Sequence, residues 1–277
     1  MRRIPDPGTE NPDATEFFRS GGQDYDRTHY RPATRSFISD RNTVLLDVLS
    51  QIPPSARASL LEVGCGPGHF LAGASQYCPS TTGVDTSTEM LELSRSRLPA
   101  SALPASRLVG GSITALPFPD NHFHVVVSAG VLEYFQNAAE PLREIHRVLR
   151  PDGIALLPMT NRLSPALVTA RLLDRLKRWP LIMQPFNRAW TRSGRPPIRA
   201  RHFPVRLETP FGHRKALQTA RFIVLAEHFF HLAPLPDPAE QLAPRFTTGL
   251  LSVTDALLRT PLRFLAEGYL PVCTKGA

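Results

Sequence analysis

The sequence predicts an α/β chain, built on a doubly wound, mostly parallel sheet with helices on both faces and a C-terminal helical and loop cap insertion. Three observations carry this. Between Ser59 and Met159, short apolar runs alternate with helical patterns, and strands spaced that way join by right-handed crossovers. The runs are apolar on successive residues, as strands buried on both faces are. The first run leads into Gly64, Gly66 and Gly68 and then a helix, the arrangement that opens a crevice at the carboxyl ends of parallel strands.

Residues 1–15 read as a flexible lead rich in Pro, Asp, Thr and Gly, and residues 16–277 as one domain. Thr34 to Ile52 is expected to be an amphipathic helix. Phe37, Ile38, Val44, Leu45, Val48 and Leu49 recur at helical spacing with Asp and Arg between them, and Pro53-Pro54 stops it. Strands follow at Ser59–Val63, Thr81–Asp85, Arg107–Val109, Phe123–Ser128 and Ile154–Met159. Helices are expected at His69–Tyr77, at Ser87–Leu98 with Ser87 as N-cap, and at Ala138–Leu149, with Pro151-Asp152-Gly153 as a turn. Beyond Met159 the rhythm breaks. Pro165–Trp179 reads as a basic amphipathic helix with Val168, Leu172, Leu176 and Trp179 on one face. Residues 160–208 and 232–262 read as cap insertions. Between them a helix starts at Thr209-Pro210 and leads to a strand at Phe222–Phe230. Leu250–Leu265 is mostly helical in pattern, and Tyr269–Thr274 closes the sheet.

Composition narrows the function classes. Of 277 residues, 42% are hydrophobic and 20% charged, so a core can form and wholesale disorder is excluded. No apolar run spans a bilayer, and MRRIPDPGTENPD lacks the apolar stretch of a secretory signal, so a cytoplasmic protein is expected. Cys65, Cys78 and Cys273 have neither disulfide nor metal-ligand spacing and read as reduced thiols; no metal is expected. Residues 1–159 hold 14 basic against 17 acidic residues, and residues 160–277 hold 18 against 7. The second half is therefore an anion-attracting surface suited to phosphorylated substrates, nucleic acid or lipid headgroups, unless it is only a solvated face.

The segment that carries chemistry is Leu60-Leu61-Glu62-Val63-Gly64-Cys65-Gly66-Pro67-Gly68-His69-Phe70. Glycines here allow a tight turn and leave room for a ligand against the main chain. Asp85 ends the next strand 21 residues after Gly64, where a carboxylate can accept both hydroxyls of a ribose. An adenosine-containing cofactor fits both features. A dinucleotide fingerprint would need a third glycine where His69 stands, so a nicotinamide-dependent dehydrogenase is the weakest reading.

The chain resembles the class I, Rossmann-like S-adenosylmethionine-dependent methyltransferases, in the small-molecule branch that includes ubiquinone and menaquinone methyltransferases. Besides the glycine segment, Gly83 to Leu91 is similar to the family's second motif, Gly110 to Val127 to its "LPF" stretch, and Val148 to Gly153 to its turn before strand five. Phe17-Phe18, Tyr25-Asp26 and Tyr30 resemble its lead, so the likeness covers about residues 17–160. The resemblance implies S-adenosyl-L-methionine as cofactor. Glu62 would hold the methionine amino end, and Gly64, Cys65, Gly66 and Gly68 would give backbone contacts, with Cys65 as a small-residue spacer. Asp85 would bind the ribose diol, and Thr86 and Met90 would pack beside adenine. Ser112 and Ile113 would meet the adenine edge, and Ala129 the methionine portion. Two residues depart from the family: Ser112 replaces an Asp, which weakens acceptance from the adenine amino group, and His124 replaces another Asp and reads as a packing change.

The implied reaction is methyl transfer to a small-molecule or lipid-like acceptor with an anionic part, most simply an oxygen nucleophile. Alignment of the reacting atoms would supply most of the catalysis. A hydroxyl acceptor would also need a base, for which Glu133, Tyr134, Tyr25, His29, Tyr30, His202 and His213 are candidates; none is singled out as catalytic. Peripheral membrane contact would run through the basic half and its 165–179 helix. Two alternatives stand beside this. An RNA methyltransferase would use the basic half, although Ser128 to Tyr134 is not an amino-directed NPPY-type motif. A non-catalytic partner protein of the same fold would account for Ser112 and His124.

Overall fold

A computed structural model of the chain describes Asp26 and residues 36–176, 205–233 and 244–276. Helix α1 (Phe37–Gln51) starts three residues after the expected Thr34. Ser36 and Ser39 bond each other's backbone in a capping box that fixes the start. Then come β1 (Ser59–Val63), α2 (His69–Ala74), β2 (Ser80–Asp85), α3 (Thr88–Arg97), β3 (Ser106–Gly110), β4 (Phe123–Val127), α4 (Ala139–Val148) and β5 (Leu149–Leu156). The second half adds β6 (Met159–Thr160), α5 (Pro165–Leu176), α6 (Pro210–Thr219), β7 (Phe222–Phe230), α7 (Pro244–Leu257) and β8 (Gly268–Lys275). Ser87 caps α3 by accepting from Met90 N, and Thr209 caps α6 by accepting from Gly212 N, with Pro210 in its first turn.

Strands β3, β2, β1, β4 and β5 lie side by side in that order, all parallel. β8 then enters antiparallel, with Cys273 paired to Ala155 of β5 on one edge and to Val224 of β7 on the other. The short β6 continues the β5 edge, pairing Met159 with Tyr269. Because β8 opposes both neighbours, β7 runs in the same direction as β5.

Both faces are buried, and neighbouring residues divide between them. Leu61 and Val126 join Leu142 and Ile145 of α4 and Leu217 of α6 in one core. Leu60, Val125 and Val127 join Leu45, Val48 and Leu49 of α1 and Phe70 and Leu71 of α2 in the other. That division is why the strands read as unbroken apolar runs. All three cysteines are free and buried.

Three expectations are corrected. Pro151-Asp152-Gly153 belongs to β5 rather than to a turn before it. Leu149 pairs with Phe123 and Ile154 with Val125, so the intervening residues bulge out of the ladder where Pro151 offers no N–H. α2 ends at Ala74, short of Tyr77. The helix expected over Leu250–Leu265 begins at Pro244, ends at Leu257 and is followed by a separate turn, Pro261–Leu265, which Thr260 caps. Expectations for residues 1–15, and those for 177–204 and 234–243, lie outside the described residues.

Candidate active site

At the carboxyl end of β1 the chain turns through three residues of left-handed backbone, Gly64, Gly66 and Gly68. The loop is pinned, since Gly64 N and Cys65 N both donate to Val84 O, at 2.7 and 2.9 Å. The glycines serve different ends. A Cβ on Gly64 would strike Val131, and one on Gly68 would strike Ser94, so packing requires both. A Cβ on Gly66 would meet nothing within 4 Å. Gly66 is therefore the position where the main chain faces open space, and its amide donates to Asp85 Oδ2 at 2.8 Å.

Asp85 closes β2. Its Oδ1 accepts from Ser87 N at 2.9 Å, so backbone amides hold both oxygens and leave lone pairs for further donors. Burial pushes its carboxyl above the usual range, while the amides of Ser87, Gly66 and Thr86 pull it back. Glu62, the fourth residue of β1, is buried to 4% exposure, and its Oε2 has no hydrogen-bond partner. Burial raises it to about 8; Arg41 opposes the shift and Asp85 adds to it. A buried carboxylate oxygen without a partner suits a cationic ligand group, so the residues present fit an adenosine-linked amino acid.

The other expected contacts are distributed as follows. Thr86 and Met90 flank the start of α3, with Met90 fully buried. Ile113 is buried, and Ser112 Oγ lies 2.9 Å from Thr114 Oγ1 and accepts from Thr114 N. Ala129 follows β4 and packs against the core beneath α1. The Cys65 side chain packs against Gly83, and burial raises its thiol well above the usual range, which leaves it inert. His124 lies 2.8 Å from Ser59 Oγ, at the opposite, amino-terminal end of β1 and β4.

Among the base candidates, Glu133 accepts from Thr160 Oγ1 at 2.8 Å at the carboxyl edge of the sheet, beside Tyr134. His213 is buried in α6 with Nε2 3.2 Å from Leu157 O, and burial lowers it to about 4, so it is a core residue. An apolar helix face draws in an imidazole that has a carbonyl to bond, and the Arg-rich sequence around it concealed that face. Tyr25, His29, Tyr30 and His202 lie outside the described residues. Among those described, no group of three metal-binding side chains comes together.

Arg41 escaped the sequence reading, and Asp26 entered it only as part of the lead, with no contact assigned. Arg41 read as one of the polar spacers of α1, yet it is buried with Nη1 over Gly130, the left-handed residue that follows β4. Asp26 binds His69 Nε2 at 2.7 Å and Arg97 Nη2 at 2.9 Å, while Arg97 also donates to Pro67 O. It thereby ties the chain before α1 to the glycine loop.

Residues 61–157 match the family described as "Methyltransferase domain". A demethylmenaquinone methyltransferase of Chlorobaculum tepidum is 31% identical over 115 residues, which are 40% of this chain and 46% of that protein. The fold is shared with magnesium protoporphyrin IX methyltransferase of Synechocystis PCC 6803 with bound SAH (TM-score 0.59, 12% identity, 95% of this chain and 98% of that one). It is also shared with the 4+2 cyclase SpnF (TM-score 0.63, 14% identity, 99% of this chain and 100% of that one). The chain spans about a third to a half of the length of the curated relatives it matches first.

Proposed function

We propose that this chain, whose residues 61–157 match a methyltransferase domain, binds S-adenosyl-L-methionine and transfers its methyl group to an oxygen nucleophile of a small-molecule or lipid-like acceptor. The observation that carries this is the conjunction at the ends of β1 and β2: an open Gly66, an amide-held Asp85 and a buried Glu62 with an unpartnered oxygen.

When bound, the cofactor supplies a methyl group already activated by a sulfonium. The chain's work is placement. Asp85 would accept from the ribose hydroxyls, and the backbone from Gly64 to Gly68, including Cys65, would line the ligand's path. Glu62 would hold the ammonium. Thr86, Met90, Ser112 and Ile113 would bound the adenine, and Ala129 the methionine portion. An in-line displacement needs little beyond this alignment and the exclusion of water. For a hydroxyl acceptor, Glu133 is the candidate base nearest the end of β4.

The acceptor side would be formed by residues 160–208 and 232–262. In support, Ala166 of α5, Ala233 and Leu251 of α7 form a small core, and Asn161 Nδ2 donates to Phe264 O and Ala266 O. The relative that acts on demethylmenaquinone favours an apolar acceptor. No helix among the described residues is long and apolar enough to cross a membrane; the basic half is the surface we propose for any peripheral contact with anionic lipid. A second reading is a protein of this fold without methyl transfer. The likeness to a cyclase favours it, as does a hydroxyl at Ser112, already bonded to Thr114.

The test is calorimetry with S-adenosyl-L-methionine on wild type and Asp85→Ala, followed by a screen of naphthoquinol and phenolic acceptors. Micromolar binding lost in the variant, with turnover on any acceptor, supports methyl transfer. Binding without turnover moves the assignment to the second reading, and no binding removes methyl transfer and leaves the second reading alone.

A further inference from the structure

We infer that the groove between α4 and α6 binds the phosphate of an organic phosphate through Arg143, Arg206 and Lys215; this site is independent of the cofactor reading above. α4 leads into β5 and α6 into β7, strands that run the same way, so both helices start at the carboxyl edge of the sheet. Leu142 and Leu217 fix the two helices to one core. Between them the gap is not filled. Gly212, Ala216 and Ala220 recur at helical spacing along α6, and with Ala138 and Leu142 of α4 they line an open groove of about 400 Å³, a volume suited to a small ligand. Arg143, Arg206 and Lys215 line the same groove.

A plainer reading is that three solvated cations share a rim. Arg206 argues against it. Its Nε is buried with no hydrogen-bond partner, and its Nη1 reaches Glu208 Oε1 only at 3.5 Å. A buried guanidinium N–H without an acceptor is costly and marks a place that an acceptor completes. The backbone holds Arg206 there, since its N donates to Glu133 O and Arg162 N donates to Glu208 O, both at 2.8 Å. Among the described residues neither Arg143 nor Lys215 enters an ion pair, and Glu140, in the first turn of α4, does not line the groove. Three cations less the Glu208 carboxylate leave two positive charges. A phosphomonoester carries nearly two negative charges at neutral pH and three terminal oxygens, so it matches that balance where a single carboxylate would not. The planar fork of Arg206 can donate to two of those oxygens, and the alanines and Leu142 would take a small apolar body.

Calorimetry with phenyl phosphate on the intact chain at low ionic strength tests this. Arg206→Gln should weaken binding by about 10-fold or more, the range for a charge-assisted hydrogen bond. Arg143→Gln and Lys215→Gln remove exposed charges and should each cost about 2- to 5-fold. Arg259→Gln removes an exposed arginine outside the groove and should leave affinity within about twofold. If Arg206→Gln melts early, the double variant Arg143→Gln/Lys215→Gln carries the test, with a loss of about 5- to 20-fold expected. Flotation with phosphatidic acid vesicles separates the two sources of the phosphate. Retention that the double variant loses assigns a lipid headgroup, and phenyl phosphate binding without retention assigns a soluble phosphate ester. Three results overturn the site: a wild type that binds neither probe, groove variants that bind as wild type does, and an Arg259→Gln loss equal to theirs, which would mean diffuse attraction to a basic surface. Neither probe contains S-adenosyl-L-methionine, so these outcomes are read separately from the cofactor test.

Discussion

At the scale of single residues, the glycine loop separates crowded positions from an open one. Gly64→Ala should destabilise the protein by about 1–3 kcal/mol, since the added methyl overpacks against Val131, and denaturant unfolding would show it. Gly66→Ala should cost about 1–2 kcal/mol for its left-handed backbone, yet weaken S-adenosyl-L-methionine by more than Gly64→Ala does, because its methyl occupies the open side of the loop. Two buried groups give the stability–pH curve opposite slopes. Glu62 lies above its ordinary value of 4.5, at about 8, because of burial. Its contribution is present below 4.5 and lost as pH rises through about 8, so melting curves should show Glu62→Gln gaining on wild type across that interval. His213 lies below 6.5, at about 4. Its contribution is present above 6.5 and lost as pH falls through about 4, and His213→Gln should flatten that acid limb in the same measurement.

At the scale of elements, most of the sheet was legible because burial on both faces leaves a mark on every residue. β1 and β7 have the expected bounds, and β4 differs by the single residue Ser128. Caps were legible where a side chain makes the bond. Ser87→Ala should cost about 1 kcal/mol, read as a shift of the urea midpoint. What was hidden depended on partners distant in sequence. The bulge in β5 exists only against β4, and Pro151 and Gly153 looked like a turn without it. Arg41 and Asp40 looked like polar spacers because their neighbours, Gly130 and His231, lie far along the chain. The glycine motif exposed Glu62 and Asp85 because their chemistry is local to the strand ends. Arg41 comes from a helix before the motif, where spacing carries no such signal.

At the scale of the whole molecule, Asp26 joins a segment before α1 to the N-terminus of α2 and the C-terminus of α3. Asp26→Asn should speed amide hydrogen exchange in α2 and the glycine loop while leaving β4 and β5 unchanged, and uniform protection across both regions would argue against this tie. The position of β8 has another consequence. It is synthesised after every other described strand, yet it stands inside the sheet, between β5 and β7. Until it emerges, β7 has no described partner and the apolar edge of β5 is uncovered. A ribosome-bound chain could therefore complete β1 to β5 early while leaving one raw edge for the whole transit of more than a hundred residues. The burden on chaperones would then fall on the second half of synthesis, long after the cofactor loop has been made.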